Sequence, residues 1–312
     1  MAGHIVVRPA SIDDMMPAYA VFRRSLFDYL FRIALVEESV ARNPPIEKAW
    51  ERQGLWTRHL WNSAAENWIA TDSDGKVIGW AMSIERDDHL ELTHFFVDPG
   101  IQGRGIGRDL LSRAFPEGRA RHKSIVATQD ARALALYLRS GVGYVATSVD
   151  LLVTPQRLDA TSDLDFELLD ASDAAIATVS DLERKVLGFS RPVDIAFLLR
   201  MRPCWLALRG GRPAGYAFGV QPNPAGGSDH PPVCGPMAAC DPADMPALLD
   251  QVIATAGGEQ DFSMLVPLSN RIAMTHALKR GARIDPFYVK ILAGDDAMLL
   301  DRYIHTSPAF IL

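Results

Sequence analysis

A glycine-rich loop in the first half of the sequence carries its strongest chemical signal. A β-type run, Leu90–Val97, ends at Asp98-Pro99, and the segment 100–108, GIQGRGIGR, leads from there into a helical pattern. Glycine has no Cβ, so the backbone N–H groups of such a loop stay accessible and φ can be positive. These N–H groups and the first helical turn attract an anion, and Arg104 and Arg108 add positive charge. The segment therefore predicts a diphosphate site.

Other ligand loops fit these residues poorly. A P-loop requires Gly-Lys-Ser/Thr, and the segment 100–108 contains no lysine. The dinucleotide fingerprint G-x-G-x-x-G, counted from Gly103 and Gly105, puts Arg108 at its third glycine. A turn that binds nothing needs neither four glycines nor two arginines.

The pattern Gln102-x-x-Gly105-x-Gly107, after a strand ending in Val-Asp-Pro, resembles the acyl-CoA pyrophosphate loop of the GNAT N-acetyltransferase superfamily. The segment 130–141 looks like the later helix of that family, because it contains Asp130, Ala133, a Leu-Tyr pair at 136–137 and Gly141. The family usually continues with Leu-Gly-Phe, and this chain departs mildly with Ser-Gly-Val at 140–142. The resemblance covers residues 4–152 and implies an acetyl-CoA-dependent N-acetyltransferase.

The resemblance also implies roles for individual residues. Direct attack of a primary amine within a ternary complex needs a base, and Glu91 is the first candidate for this role. His94 is the second candidate, since the ordinary pKa of histidine suits proton transfer. Tyr137 is expected to protonate the departing thiolate. The expected acetyl-CoA-binding residues are the backbone of Phe95, Phe96 and Val97, together with Gln102, Gly103, Arg104, Gly105, Ile106, Gly107, Arg108, Asp130, Ala133 and Tyr137. No metal is expected.

The sequence also repeats itself, which predicts its domain organisation. The segments 68–70 and 79–81 recur at 205–207 and 215–217, and 130–141 aligns without a gap to 270–281. A weaker match pairs Ser11 with Ser172, each after a strand and before a helix. We therefore expect an α/β (α+β) chain of two tandem GNAT folds, each a mixed, mostly antiparallel sheet flanked by helices.

The two expected domains differ in their cofactor residues. The N-terminal domain, 1–153, is expected to bind acetyl-CoA, and a linker at about 154–163 leads to a degenerate C-terminal copy at 164–312. In that copy Cys240, Ala243 and Met245 stand where Gln102, Gly105 and Gly107 stand in the first. The C-terminal domain also contains a long loop, 222–232, that is a candidate lid over the acceptor cleft.

Composition limits the class of partner. Hydrophobic residues make up 48% of the 312 residues and charged residues 22%, which is typical of a globular protein. A net charge of -6 gives no general attraction to nucleic acid or anionic membranes. The apolar runs are too short to span a bilayer, and no signal pattern is seen, so we expect a cytoplasmic protein.

Several alternatives remain open at this point. The acceptor is expected to be a small-molecule or peptide amine, and the chain a monomer or homodimer. A non-catalytic protein that binds or senses acyl-CoA would need the loop but not Glu91 or Tyr137. A third possibility is an interaction scaffold, which would not bind CoA at all.

Overall fold

The chain forms two compact units in the computed structural model. The first unit contains Met1–Ile125 and Gln129–Gly143, and the second contains Val126–Thr128 and Tyr144–Leu312. The structure describes residues 5–158, 162–221, 231–257, 260–295 and 297–306. Most of the predicted lid segment, 222–232, and part of the predicted linker lie outside the described residues.

In its described residues, the first unit contains five neighbouring strands of one sheet and five α-helices. Its strands run in the order β1-β2-β3-β4-β5, and all neighbours are antiparallel except β4 and β5, which are parallel. The predicted mixed, mostly antiparallel sheet is thus confirmed. The elements are β1 (Val6–Pro9), α1 (Met15–Arg32), α2 (Glu38–Arg42), α3 (Ile46–Asn62), β2 (Ala64–Thr71), β3 (Val77–Arg86), β4 (His89–Val97), α4 (Ile106–Ala114), β5 (His122–Ala127) and α5 (Ala131–Arg139).

Strand β3 is the centre of this sheet, and nine of its ten residues are buried. Such a strand must be covered on both faces, and side chains alternate between the faces along it. Trp80 packs against Trp61 of α3 on one face. On the other face a Cβ at Gly79 would lie only 2.8 Å from Leu110 Cδ1 of α4, so glycine permits that helix to approach closely. Helices α1 and α3 therefore cover one face, and α4 the other.

The second unit repeats this order of strands and helices, but its strands are divided between two sheets. One of its sheets has the order β13-β10-β9-β8-β7, and the remaining strands are neighbours in the order β12-β6-β11. Its elements are β6 (Gly143–Val153), β7 (Asp165–Leu169), α6 (Asp173–Leu187), α7 (Pro192–Met201), β8 (Cys204–Arg209), β9 (Arg212–Phe218), β10 (Met237–Ala239), α8 (Met245–Thr255), β11 (Phe262–Pro267), α9 (Arg271–Lys279), β12 (Arg283–Ala293) and β13 (Tyr303–Ile304).

The first domain is predicted to end at residue 153, but the second unit already begins at Tyr144. The pairing of strand β6 explains this difference. β6 pairs antiparallel with β11, from Ser148 opposite Pro267 to Val153 opposite Phe262. Val149, Leu151 and Val153 are buried in the core of the second unit. Residues 144–153 therefore belong structurally to the second unit. Sequence periodicity detects β6 but carries no information about its partner.

The repeated hairpins match in register. Ala70 lies opposite Gly79 in β2–β3, and Ala207 lies opposite Gly215 in β8–β9. Helix α2 and strand β13 were not expected from the sequence, because five-residue and two-residue elements have no clear periodicity. Within the described ranges, no helix is long and apolar enough to cross a membrane.

We expect Gly215→Ala to destabilise the second unit by about 2 kcal/mol or more. A Cβ at Gly215 would lie 2.6 Å from the carbonyl oxygen of Ala238, and backbone cannot rotate away as a side chain can. Gly143→Ala is the matched control, because a Cβ there meets nothing within 4 Å and no positive φ is required. Chemical denaturation measures the difference, and equal midpoints for the two variants would contradict this account.

Candidate active site

A β-bulge in β4 decides which side chains of this strand share a face. Met82 of β3 lies opposite His94, but the next residue, Ser83, lies opposite Leu92, so Thr93 is an extra residue. The Thr93 hydroxyl donates a hydrogen bond to the Met82 carbonyl, 3.1 Å away. Side chains alternate along a strand, and the extra residue shifts that alternation by one. Glu91 and His94, the two candidate bases, consequently lie on the same face.

Strand β4 separates from β5 immediately beyond the bulge. The parallel pairing joins His89–Leu92 to His122–Ile125 and then stops. Residues 93–97 of β4 thus have no pairing partner on β5, although their other edge stays paired with β3. The backbone groups of Phe95, Phe96 and Val97, which the sequence resemblance predicts to bind acetyl-CoA, lie in this unpaired stretch. An open strand edge inside a sheet is a ready binding site for a ligand with amide and carbonyl groups.

The glycine loop follows this stretch directly. A 3₁₀ turn, Pro99–Ile101, leads to Gly103 and Gly105, whose φ angles are +88° and +83°. Such values favour glycine, and a Cβ at either position would meet nothing within 4 Å, so the space in front of the loop is open. Gly105 caps α4, whose first buried residue is Ile106.

The loop also carries two arginines and a third glycine. Arg104 and Arg108 are exposed, and neither makes an ion pair in the part of the chain that the structure describes. A Cβ on Gly107 would lie 3.3 Å from Phe95 Cζ, so this third glycine lets α4 approach β4. The loop therefore joins accessible N–H groups, a helix N-terminus and two available cations, as anion binding requires.

Helix α1 fixes the position of the loop through residues that the sequence analysis missed. Arg24 forms a salt bridge with Asp98 at 2.8 Å, and the Ser25 hydroxyl donates to the Val97 carbonyl at 3.0 Å. The Gln102 amide donates to the same carbonyl at 2.9 Å. Gln102 thus closes the loop onto the end of β4, and in this arrangement its amide nitrogen faces the protein. The only sequence signal for Arg24 was a basic residue inside an otherwise apolar helix face.

Tyr137 lies on α5, against the opposite face of β4 from α1. Its ring is 5.6 Å from that of Phe95, and 6% of the residue is exposed. Burial, with a smaller contribution from the charge of Asp130, raises the pKa of the phenol above its ordinary value. Tyr137 therefore keeps its proton at neutral pH, as a proton donor must. Ala133 is one turn earlier on the same helix face.

Asp130 begins α5 and has protein partners of its own. Its carboxylate accepts a hydrogen bond from the Arg132 backbone N–H at 2.9 Å and forms a salt bridge with Arg32 at 2.7 Å. Hydrogen bonds from Arg132 and Arg32 outweigh the effect of burial and hold the pKa of Asp130 well below its usual range. Asp130 orients the helix that carries Tyr137 and is a fixed negative charge beside the predicted site.

The two candidate bases differ in their surroundings. His94 is 1% exposed, its ring lies 4.2 Å from that of Trp80, and burial lowers its pKa to about 3. Glu91 is 3% exposed and lies opposite Ile84 on β3 and Ser124 on β5, at the end of the β4–β5 pairing. Phe96 packs on Phe22 of α1, on the same side of the sheet. The α1 face of β4 thus presents a carboxylate and a neutral imidazole within a mainly aromatic layer.

The corresponding region of the second unit is closed. β13 pairs antiparallel with β10, the counterpart of β4, and the His305 N–H then donates to the Leu265 carbonyl of β11 at 3.0 Å. Residues 303–305 thus occupy the space between β10 and β11. The turn before α8 has Pro242 in place of a glycine loop, and its segment 240–245 contains no glycine.

The separation of two parallel strands and the glycine loop that follows them are the features for which the sequence resembled the GNAT superfamily. The Acetyltransferase (GNAT) family model matches residues 32–143, so this region of the chain is similar to that family. A spore coat polysaccharide biosynthesis protein of Bacillus subtilis is 34% identical over 90 residues, 28% of this chain and 31% of that protein. An uncharacterized N-acetyltransferase of Methanocaldococcus jannaschii is 27% identical over 141 residues, 42% of this chain and 55% of that protein. The chain therefore spans about a third to a half of these relatives.

Solved structures agree in fold over nearly the whole chain. A putative acetyltransferase from Pyrococcus horikoshii has a TM-score of 0.69 at 15% identity, with 96% of this chain and 92% of that chain covered. A tandem GNAT protein from the clavulanic acid biosynthesis pathway has a TM-score of 0.54 at 15% identity, with 94% and 99% covered. The predicted tandem GNAT arrangement is thus confirmed at the level of the fold.

We expect the His94 imidazole to stay neutral down to about pH 4, because burial favours the uncharged ring. The pKa of the unfolded chain is about 6.5, so protonation favours unfolding, and stability falls as the pH drops below about 6.5 towards the folded-state pKa. NMR titration of the ring nitrogens, assigned with His94→Gln, measures this. A titration midpoint near 6.5 in the folded protein would mean that the ring reaches water.

Proposed function

We propose that the first unit is an acetyl-CoA-dependent N-acetyltransferase that acts on a small-molecule or peptide amine. The observation that supports this most strongly is the separation of β4 from β5 directly before the glycine loop. A pantetheine chain with its amide groups fits an unpaired strand edge, and a diphosphate fits the loop that follows. The separation and the loop are adjacent along the chain, so one extended cofactor can bind both.

The proposed reaction is direct transfer, with no covalent enzyme intermediate. The amine nitrogen attacks the acetyl carbonyl carbon, and N–H groups of residues 95–97 stabilise the oxyanion that forms. Glu91 accepts the proton lost by the amine, directly or through water. The C–S bond then breaks, and Tyr137 donates its proton to the thiolate sulfur. Its raised pKa keeps the phenol protonated until this step.

Glu91 is preferred to His94 as the base. An imidazole with a pKa of about 3 is a very weak acceptor for the proton of an aliphatic ammonium, whose pKa is about 10.4. A carboxylate also attracts the ammonium electrostatically before the transfer. His94 then serves as packing between Trp80 and Phe22.

We assign a single acetyl-CoA site to the chain, in the first unit. The second unit has the same fold, but residues 303–305 fill its strand gap and its loop has no glycine. A protein that binds acyl-CoA without catalysis is the alternative function. This alternative is disfavoured because the Tyr137 ring packs against Phe95 in the unpaired part of β4 and the raised pKa keeps its phenol protonated. Binding of acyl-CoA alone does not require a proton donor at this position.

Calorimetric titration of the full chain with acetyl-CoA is expected to give about one binding site per chain. Gly105→Trp should abolish binding, because the side chain would fill the space in front of the loop and the required φ is positive. Gly211→Trp is a matched control, at a positive-φ glycine with open surroundings in the β8–β9 turn of the second unit. A stoichiometry near two would contradict the single site, and no binding would contradict the proposed enzyme.

Tyr137→Phe should lower kcat by about 10²-fold with little change in acetyl-CoA affinity, because a proton donor acts only at the breaking C–S bond. Release of free CoA thiol with a panel of amines measures kcat, and calorimetry measures affinity. Acetyl-CoA binding without thiol release for any amine would favour the non-catalytic alternative.

Glu91→Gln is expected to change the pH dependence of kcat/KM by removing the ionisation of the base. The same thiol assay, run across pH with the wild type and with His94→Gln beside it, assigns the role. An unaltered profile in Glu91→Gln would pass the role to His94 or to water.

A further inference from the structure

Arg23 of α1 is a buried cation with no anionic partner among the residues that the structure describes. Only 4% of it is exposed, and its Nε atom is sealed from solvent with no hydrogen-bond partner. Its guanidinium lies 4.7 Å from the centroid of the Phe27 ring and 5.7 Å from that of Phe22. The described residues offer it no hydrogen bond and no ion pair.

The other buried arginines of the described chain provide an internal comparison. Arg86 donates to the backbone and hydroxyl of one serine, and Arg202 donates to a backbone carbonyl and an amide oxygen. Arg191 is paired with the carboxylate of Glu183 at 2.9 Å. Each of the other three thus has protein acceptors for its guanidinium, although the Nε of Arg202, like that of Arg23, has no hydrogen-bond partner among the described residues. A buried charge without a partner costs several kcal/mol, so the exception needs a reason.

The electrostatic surroundings of Arg23 add positive charge. Burial lowers the pKa of Arg23, and the charge of Arg52 on α3 lowers it further. Burial also raises the pKa of Tyr19, the other titratable group beside it, to about 12, so that group is neutral at pH 7. Arg52 makes no ion pair with the described residues either. Arg23 and Arg52, neither of which makes an ion pair with a described residue, form a site that an anion would stabilise.

The location connects this site to the proposed reaction. Tyr19, Arg23 and Phe27 follow one another at four-residue spacing, so they form one stripe along α1. Tyr19 faces α3, where its ring packs on Trp50 and its hydroxyl donates to Gln53. The residue next to Arg23, Phe22, packs on Phe96 and His94 of β4. Arg23 therefore lies beside the aromatic layer that covers the face of β4 bearing Glu91.

We propose that Arg23, assisted by Arg52, binds an anionic group of the acceptor, so that the substrate is an amine that also carries a carboxylate or a similar anion. This inference rests on the proposed acetyltransferase function and specifies its substrate class. The anion docks between α1 and α3 while the amine reaches the β4 face. Free amino acids and related amino acids with a longer spacer between the two groups have this chemistry.

The test uses matched acceptors that differ in the carboxylate alone. Each amino acid of a panel is compared with its amide and with the primary amine that lacks the carboxyl group, and CoA thiol release gives kcat and KM. We expect the wild type to prefer a carboxylate-bearing member by about 10- to 100-fold in kcat/KM, the range for a hydrogen bond to a charged group. Arg23→Met should remove this preference mainly by raising KM, and Arg23→Lys should restore part of it.

Controls separate recognition from folding and from cofactor binding. Arg113→Met removes an arginine that also stacks on an aromatic ring but already has a carboxylate partner, and it should leave the preference unchanged. Arg23→Met should unfold no earlier than the wild type, since it removes an unpaired buried charge. A preference that survives in Arg23→Met, or amines that react equally well without the carboxylate, would overturn the inference. Failure of the wild type to bind acetyl-CoA would instead overturn the proposed function.

Discussion

The first unit depends on one extra residue in strand β4. Without the bulge at Thr93, Glu91 would lie on the α4–α5 side of the sheet, away from His94 and Phe96. The bulge also coincides with the last paired residue between β4 and β5, since pairing ends at Leu92. The hydrogen bond from the Thr93 hydroxyl to the Met82 carbonyl ties the extra residue to β3, which keeps one edge of the strand ordered while the other is open. Bulges at functional edges commonly have this role.

An open strand edge is costly unless the surrounding structure holds it in place. Here three side-chain contacts hold the end of β4 and its loop: Ser25 and Gln102 bind the Val97 carbonyl, and Arg24 pairs with Asp98. They come from helix α1 and from the loop itself. The glycine loop can thus be rigid at its base and accessible in front, where a Cβ at Gly103 or Gly105 would meet open space. Preorganised N–H donors of this kind lose little free energy when an anion binds.

The sequence predicted most of the fold and the loop, because their signals are local. Glycines before a helix, an Asx residue at the start of α5 and the repeated β2–β3 and β8–β9 hairpins can be recognised from neighbouring residues alone. Pairing between distant segments cannot be recognised in this way. Nothing in residues 144–153 shows that β6 pairs with β11, and the bulge at Thr93 has no distinctive composition. Arg23 was overlooked for the same reason, since a single sequence shows a basic residue on a helix but not whether a carboxylate lies opposite.

The two units show how one fold can be open or closed at equivalent positions. Phe22 lies eleven residues after Ser11, and Glu183 lies eleven residues after Ser172, where each serine is near the start of its helix. Trp80 and Tyr216 each directly follow the repeated glycine of the hairpin.

In the first unit Phe22 and Trp80 pack on His94, and the neighbouring cation, Arg23, makes no ion pair with any described residue. In the second unit Glu183 accepts a hydrogen bond from the Tyr216 hydroxyl and pairs with Arg191, which also donates to Tyr303 of β13. Glu183 and Arg191 thus pair with each other, and Arg191 also holds the strand that fills the gap. The proposed catalysis and substrate binding need the opposite arrangement: a strand gap that remains open and a buried arginine that pairs with the substrate.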